Sequence, residues 1–190
     1  MNIIKQKISS LSLLPHLILT AVSFAAYRIS NIILDASYAR SKFPVPFFEG
    51  QTAFDGDLIK SYYQFMIDAG TLNIYWQTQL IDFIFIASFF LFGMIMPLLV
   101  RRLYKVRTIP YRIATLVATL IPLGTIFDVL ENLVSFVMLA QPLTFPNWIA
   151  IIYSSLATLK FASIGLGFML LLASVVWFVV ATIINHFRTK

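Results

Sequence analysis

The chain has 190 residues, of which 59% are hydrophobic and 12% charged, against about 25% charged in a soluble domain. Its mean hydropathy is +0.86, which excludes an ordinary soluble globular domain and predicts one all-α membrane domain. Its formal net charge of +6 and pI of 9.7 are assigned to topology and anionic headgroups rather than to nucleic acid, and the absence of cysteine excludes disulfides and thiolate metal sites.

Four segments are long enough to span a hydrocarbon core, which takes about 20 helical residues: 11–34, 80–100, 113–138 and 161–184. Lys5 and Lys7 ahead of the first span, with the triplet Ser23-Phe24-Ala25, have the look of a cleaved leader. The apolar run continues through Ile29, Ile32, Ile33 and Leu34, so it is expected to stay as the first span. Segment 36–79 is an outer loop broken by Pro44 and Pro46, and 57–69 within it reads as a short amphipathic helix. Asp55 or Asp57 is its N-cap and Gly70 its stop. Tyr75 and Trp76 before the second span, and Trp148 before the fourth, fit aromatic belts at the outer boundary. The chain from 147 to 185 is too long for one upright span, so its first part either projects outward or forms a separate short helix.

Charge placement orients the spans. Lys5 and Lys7, the group Arg101, Arg102, Lys105, Arg107 and Arg112, and the pair Arg188 and Lys190 fall on one side of four spans. The positive-inside rule makes that side cytoplasmic, with both termini on it. A multi-pass protein of a bacterial-type inner (plasma) membrane is expected; no Asn-x-Ser/Thr acceptor argues for a secretory route.

Asp82, Asp128 and Glu131 lie inside the spans, where an ionised side chain costs roughly 2.5–3.5 kcal/mol and needs a partner or a task. At 1.5 Å per residue, Asp82 lies roughly 28 Å above Arg101, and Asp128 roughly 24 Å above Arg112. Glu131 falls about 28 Å above Arg112, and Arg28 roughly 25 Å above residue 11, so all four share the outer third. Arg28, Asn31 and Asp35 share a face of the first span. In the third, Thr115, Thr119, Pro122, Thr125, Asp128, Asn132 and Ser135 form a polar stripe flanked by Glu131. Arg28 is read as the nearest compensating charge and Lys160 as a second that snorkels inward. Arg28, Asn31, Asp35, Asp82, Asp128, Glu131, Asn132 and Lys160 are the candidate charge cluster. His16 and His186 read as interfacial, Gly165 and Gly167 as close helix packing, and Pro122 as either a cavity-widening bend or a tolerated kink.

Leu80-Ile81-Asp82-Phe83, then Phe127-Asp128-x-x-Glu131-Asn132, then Leu159-Lys160 resemble the pattern of a group of bacterial four-helix membrane proteins. An acid ending the first span (Asp35), an acid early in the second (Asp82) and Thr119-x-x-Pro122 are similar, more distantly, to the EXPERA superfamily of sterol isomerase and sigma-2-receptor-like proteins. That second resemblance implies buried acids facing a cavity for an amphiphilic amine or a sterol. The second and third spans contain no histidine, and the Asp128-x-x-Glu131-Asn132 motif has no counterpart there.

The expectation is a four-transmembrane-helix bundle whose acidic pocket binds an amphiphilic or cationic small molecule or a lipid, with the outer amphipathic helix as a cover. The alternative is an accessory subunit, bound to a membrane-protein partner or to its own copies, in which the charges lock the helices. Proton-coupled transport is disfavoured because only threonines continue the path below the acids. No cofactor or metal is expected, since no zinc ligand set or phosphate-binding glycine loop occurs.

Overall fold

The computed structural model describes residues 2–188, and their regular elements are all helices. In chain order these are α1 (Asn2–Ser10), α2 (Leu13–Ser41), α3 (Phe47–Gln51), α4 (Gly56–Asp68), α5 (Leu72–Val100), α6 (Ile109–Ala140) and α7 (Asn147–Arg188), with a 3-10 turn at Arg101–Leu103 between α5 and α6. Lys190, one of the cations assigned to the cytoplasmic tail, lies outside the described residues. The helices α2, α5, α6 and α7 are long and apolar enough to cross a membrane.

Every long helix outruns the span expected for it, because an apolar window ends where polar residues begin while a helix ends only at a stop signal. Lys42, left-handed at φ 56°, closes α2 by donating its backbone N–H to Ala39 O. Gly70, at φ 68°, follows α4, and the Asp55 carboxylate caps its start by accepting from the Asp57 and Leu58 amides. The segment 147–188 resolves the open alternative: it is one uninterrupted helix of 42 residues. α6 likewise runs unbroken through Pro122.

The long helices pack in series, α2 on α5, α5 on α6 and α6 on α7, while α2 and α7, at the ends of the series, share no comparable interface. The bundle is therefore open on one side. Along α2, His16, Ser23, Ser30 and Ser37 recur every seven residues and are all buried. Ser30 bonds Ser88 (2.7 Å) and Ser37 bonds Thr78 (2.8 Å), joining α2 to α5 through side chains small enough for close approach. Ile121 of α6 wedges between glycines of both neighbours. A Cβ on Gly93 of α5 would collide with it, and one on Gly167 of α7 would lie 2.6 Å from its Cγ1.

The two ends of the bundle are closed differently. Where α4 lies, Ile59, Tyr63 and Met66 pack with Tyr75, Phe145 and Tyr153 in an aromatic core. At the opposite, basic end, Ile8 of α1 is buried against Met94, Ile95, Leu98 and Ala118. α1 was not expected as a helix, since its polar residues hide the one apolar contact that docks it. His16, expected at an interface, is instead fully buried. Arg102 Nη1 donates to its Nδ1 (3.2 Å), so Nε2–H donates to Ile95 O (3.2 Å).

Candidate functional site

Three helices bring the acids of the apolar spans together. Asp82 comes from α5, Asp128, Glu131 and Asn132 come from successive turns of α6, and Lys160 enters from α7. All five are buried, with Glu131 and Asn132 at 0% exposure. The spacing of three and four between Asp128, Glu131 and Asn132 places them on one flank of α6, facing α5 and α7 on either side.

Lys160 is the hub. Its Nζ donates to Asp128 Oδ1 (3.0 Å), to Glu131 Oε2, and to Gln51 Oε1 of α3 (3.0 Å). Those three bonds use all the donors of an ammonium. Lys160 also lies over the Phe161 ring, 4.7 Å from its centroid. Asp82 stands apart from this hub, bonded through Oδ2 to the Asn132 side-chain amide at 2.7 Å. No cation pairs with Asp82 among the described residues.

The consequence is a deficit of donors. Three carboxyl groups meet one ammonium, and buried Gln79 Oε1, Glu131 Oε1, Asn132 Oδ1 and the Ser135 hydroxyl have no hydrogen-bond partner. A buried acceptor left without a donor costs about 1–3 kcal/mol, and three such acceptors outnumber the one spare hydroxyl, that of Ser135. Among the described residues no three acids or histidines converge closely enough to hold a metal ion.

Gln79, but neither Glu131 nor Asn132, borders a cavity of 270 Å³ that occupies the open side between α2 and α7. Asp82, Asp128, Gln79 and Lys160 line its depth, and Phe85, Phe89, Phe161 and Phe168 line its apolar walls. Tyr27, Asn31, Leu34, Asp35 and Tyr38 of α2 form the other jamb, and Phe47 and Gln51 of α3 close one end. Asn31 donates to Asp35 at 2.6 Å there.

Two expectations need correction. Arg28 does not compensate the acids: it is exposed and lies 5.9 Å from the ring of its neighbour Tyr27. The face of α2 turned to the cavity is centred on Tyr27, Leu34 and Tyr38, with Asn31 and then Asp35 toward its edge, and Arg28, one step of 100° from Tyr27, falls just beyond that edge. The cover over the cavity is α3, not the amphipathic helix α4. α4 spends its apolar face on the aromatic core with Phe145 and Tyr153 and contributes nothing to the cavity wall.

Gln79 and Gln51 join the site without having been expected there. Gln79 falls three residues before Asp82, on the same face of α5, which was a usable signal. Gln51 gave none, because its position depends on how the 42–55 connection folds back. No family profile, no curated protein and no solved structure matches this chain.

Proposed function

We propose that the chain is a multi-pass membrane protein whose lateral cleft binds a cationic amphiphile or the amine headgroup of a lipid, with Asp82 as the counter-charge. The observation that carries this reading is Asp82, without a cation, beside Gln79 Oε1, without a donor, on an open, aromatic-walled cleft. An ammonium brings three N–H donors and a positive charge to Asp82, Gln79 and Asp128, while its alkyl chain leaves between α2 and α7 along Phe89, Ile164 and Phe168. The open side of the helix series would face lipid, so such a ligand enters from the bilayer without passing through water.

Topology supports the same picture. The basic 3-10 turn and loop after α5 and the chain's N-terminal lysines lie at the end opposite α3 and α4, which suits a cytoplasmic basic end in a bacterial-type inner membrane. The acids then lie nearer the outer leaflet.

The test uses the purified full chain in a neutral detergent with dodecylammonium as probe and dodecanol as its uncharged match. Dodecylammonium is expected to raise the melting temperature and dodecanol not to. In Asp82→Asn, affinity for the amine should fall about tenfold or more, the equivalent of about 1.4 kcal/mol. Equal binding of amine and alcohol, or an Asp82→Asn variant that binds as the parent does, would overturn the reading.

A second reading has its own observation. Lys160, saturated by partners on α3 and α6, ties three elements together, which suits an accessory subunit that must hold its shape within a larger membrane assembly. In that case Asp82→Asn leaves amine affinity untouched and the chain is recovered with a partner or as an oligomer.

A further inference from the structure

The basic end carries a second polar cluster, opposite in sign to the cleft and remote from it. α1 folds back onto the bundle on Ile8, and this anchor inserts Lys5 so that its ammonium donates to the Thr119 hydroxyl of α6. Arg101, where α5 ends, reaches Ser9 of α1 and, at 3.5 Å, Thr115, one turn from Thr119. Lys5 and Arg101 are both half-buried. Burial first, and then the Arg101 charge, hold the Lys5 ammonium below its ordinary pKa.

No acid offsets these two cations. The ion pairs among the described residues are Lys60 with Asp57 and Lys160 with Asp128 and Glu131. None of the eight acidic residues lies in α1, in the connection 101–108 or in the first half of α6. Orientation in a membrane asks only for cations in the flanking loops, and exposed Lys105 and Arg107 meet that requirement. It does not ask two cations to converge on three hydroxyls in a partly dehydrated groove, where like charges repel more than in water.

We infer that Lys5 and Arg101, with the hydroxyls of Ser9, Thr115 and Thr119, form an anion site that takes a phosphate group, presented by an anionic lipid headgroup or as free phosphate. The Arg101 guanidinium supplies a planar fork of donors and Lys5 a compact charge, the pairing that phosphate oxygens favour. The hydroxyls of Ser9 and Thr115 now donate to carbonyls of their own helices, Lys5 O at 2.5 Å and Tyr111 O at 2.8 Å. Each can rotate toward an incoming oxyanion. Arg112, exposed one turn below Thr115 on the same face of α6, extends the positive rim. Since α1 contributes two of the five groups, the bound anion also fastens α1 to the bundle.

The experiment measures lipid retention by native mass spectrometry and melting temperature on the full chain in a neutral detergent. The probes are phosphatidylglycerol, phosphatidylcholine of the same acyl chains, and inorganic phosphate. The parent is expected to retain phosphatidylglycerol over phosphatidylcholine, with affinity about tenfold lower in Lys5→Gln/Arg101→Gln and unchanged in Arg107→Gln. A melting shift with inorganic phosphate that the double variant abolishes assigns the site to free phosphate; a response to phosphatidylglycerol alone assigns it to the headgroup. Thr119→Val keeps every charge and removes one hydroxyl, and should weaken the same binding about threefold or more; it decides the matter if the double variant fails to fold. The proposal falls if neither anion is preferred by the parent, if Arg107→Gln weakens binding as much as the double variant, or if Thr119→Val binds as the parent does.

Discussion

Lys160 and Asp82 belong to one cluster but do different work, and substitution separates them. Removing the ammonium in Lys160→Met leaves Asp128 and Glu131 buried without a cation, so a loss of about 3–5 kcal/mol is expected in reversible unfolding from detergent. Adding Glu131→Gln to that variant should restore part of the loss, because one of the two stranded carboxylates is then neutral. Asp82→Asn is expected to change stability by no more than about 1 kcal/mol, since an amide there still accepts from Asn132 and gains a donor for the empty acceptors nearby. If instead Asp82→Asn unfolds the chain while Lys160→Met is neutral, the division of roles is reversed. The identities of these residues were legible in the sequence because charge is rare in apolar spans. Their pairing was not: depth along a helix places Arg28 at the level of the acids, but only the azimuth decides that Lys160 reaches them and Arg28 does not.

Helix contacts rest on small residues whose neighbours leave no room for a methyl group. On α7, Gly167 faces Ile121, whereas a Cβ at Gly165 would meet nothing within 4 Å. Gly167→Ala should therefore destabilise by about 1–3 kcal/mol through overpacking, while Gly165→Ala should be neutral or stabilising by up to about 1 kcal/mol through helix propensity. Thermal unfolding of the two variants side by side checks this, and a similar loss in both would contradict the wedge. The Gly-x-Gly signal was visible in the sequence, but not which glycine carries the contact. The seven-residue recurrence of His16, Ser23, Ser30 and Ser37 is equally visible but announces no contact, because serine reads as weakly polar until a partner such as Ser88 or Thr78 lies opposite. The ends of the helices were less legible still, since Lys42 at φ 56° closes α2 without a glycine or proline to announce it.

At the scale of the whole molecule, four helices in series leave one side open, and the proposed ligand entry and membrane orientation both depend on that arrangement. The spans were legible from hydropathy; the open side was not, because it depends on which helices fail to meet. Chain direction makes the two ends chemically unlike: the basic turn after α5 and α1 lie at one, the acidic helix α4 and aromatic α3 at the other. The lack of native cysteine lets single cysteines report on this directly. Lys105 and Gln64 are both exposed and sit at opposite ends, and neither touches the cleft or the basic groove. A membrane-impermeant maleimide added to intact cells should label Gln64→Cys and leave Lys105→Cys unmodified until the membrane is opened. The arginines and lysine of the short loop after α5 supply the bias, since cations in short loops close to the ends of spans resist translocation. Reversed labelling would place the acidic cleft nearer the cytoplasmic leaflet and the basic groove outside, so the amine and phosphate sites would exchange leaflets with no change in their geometry.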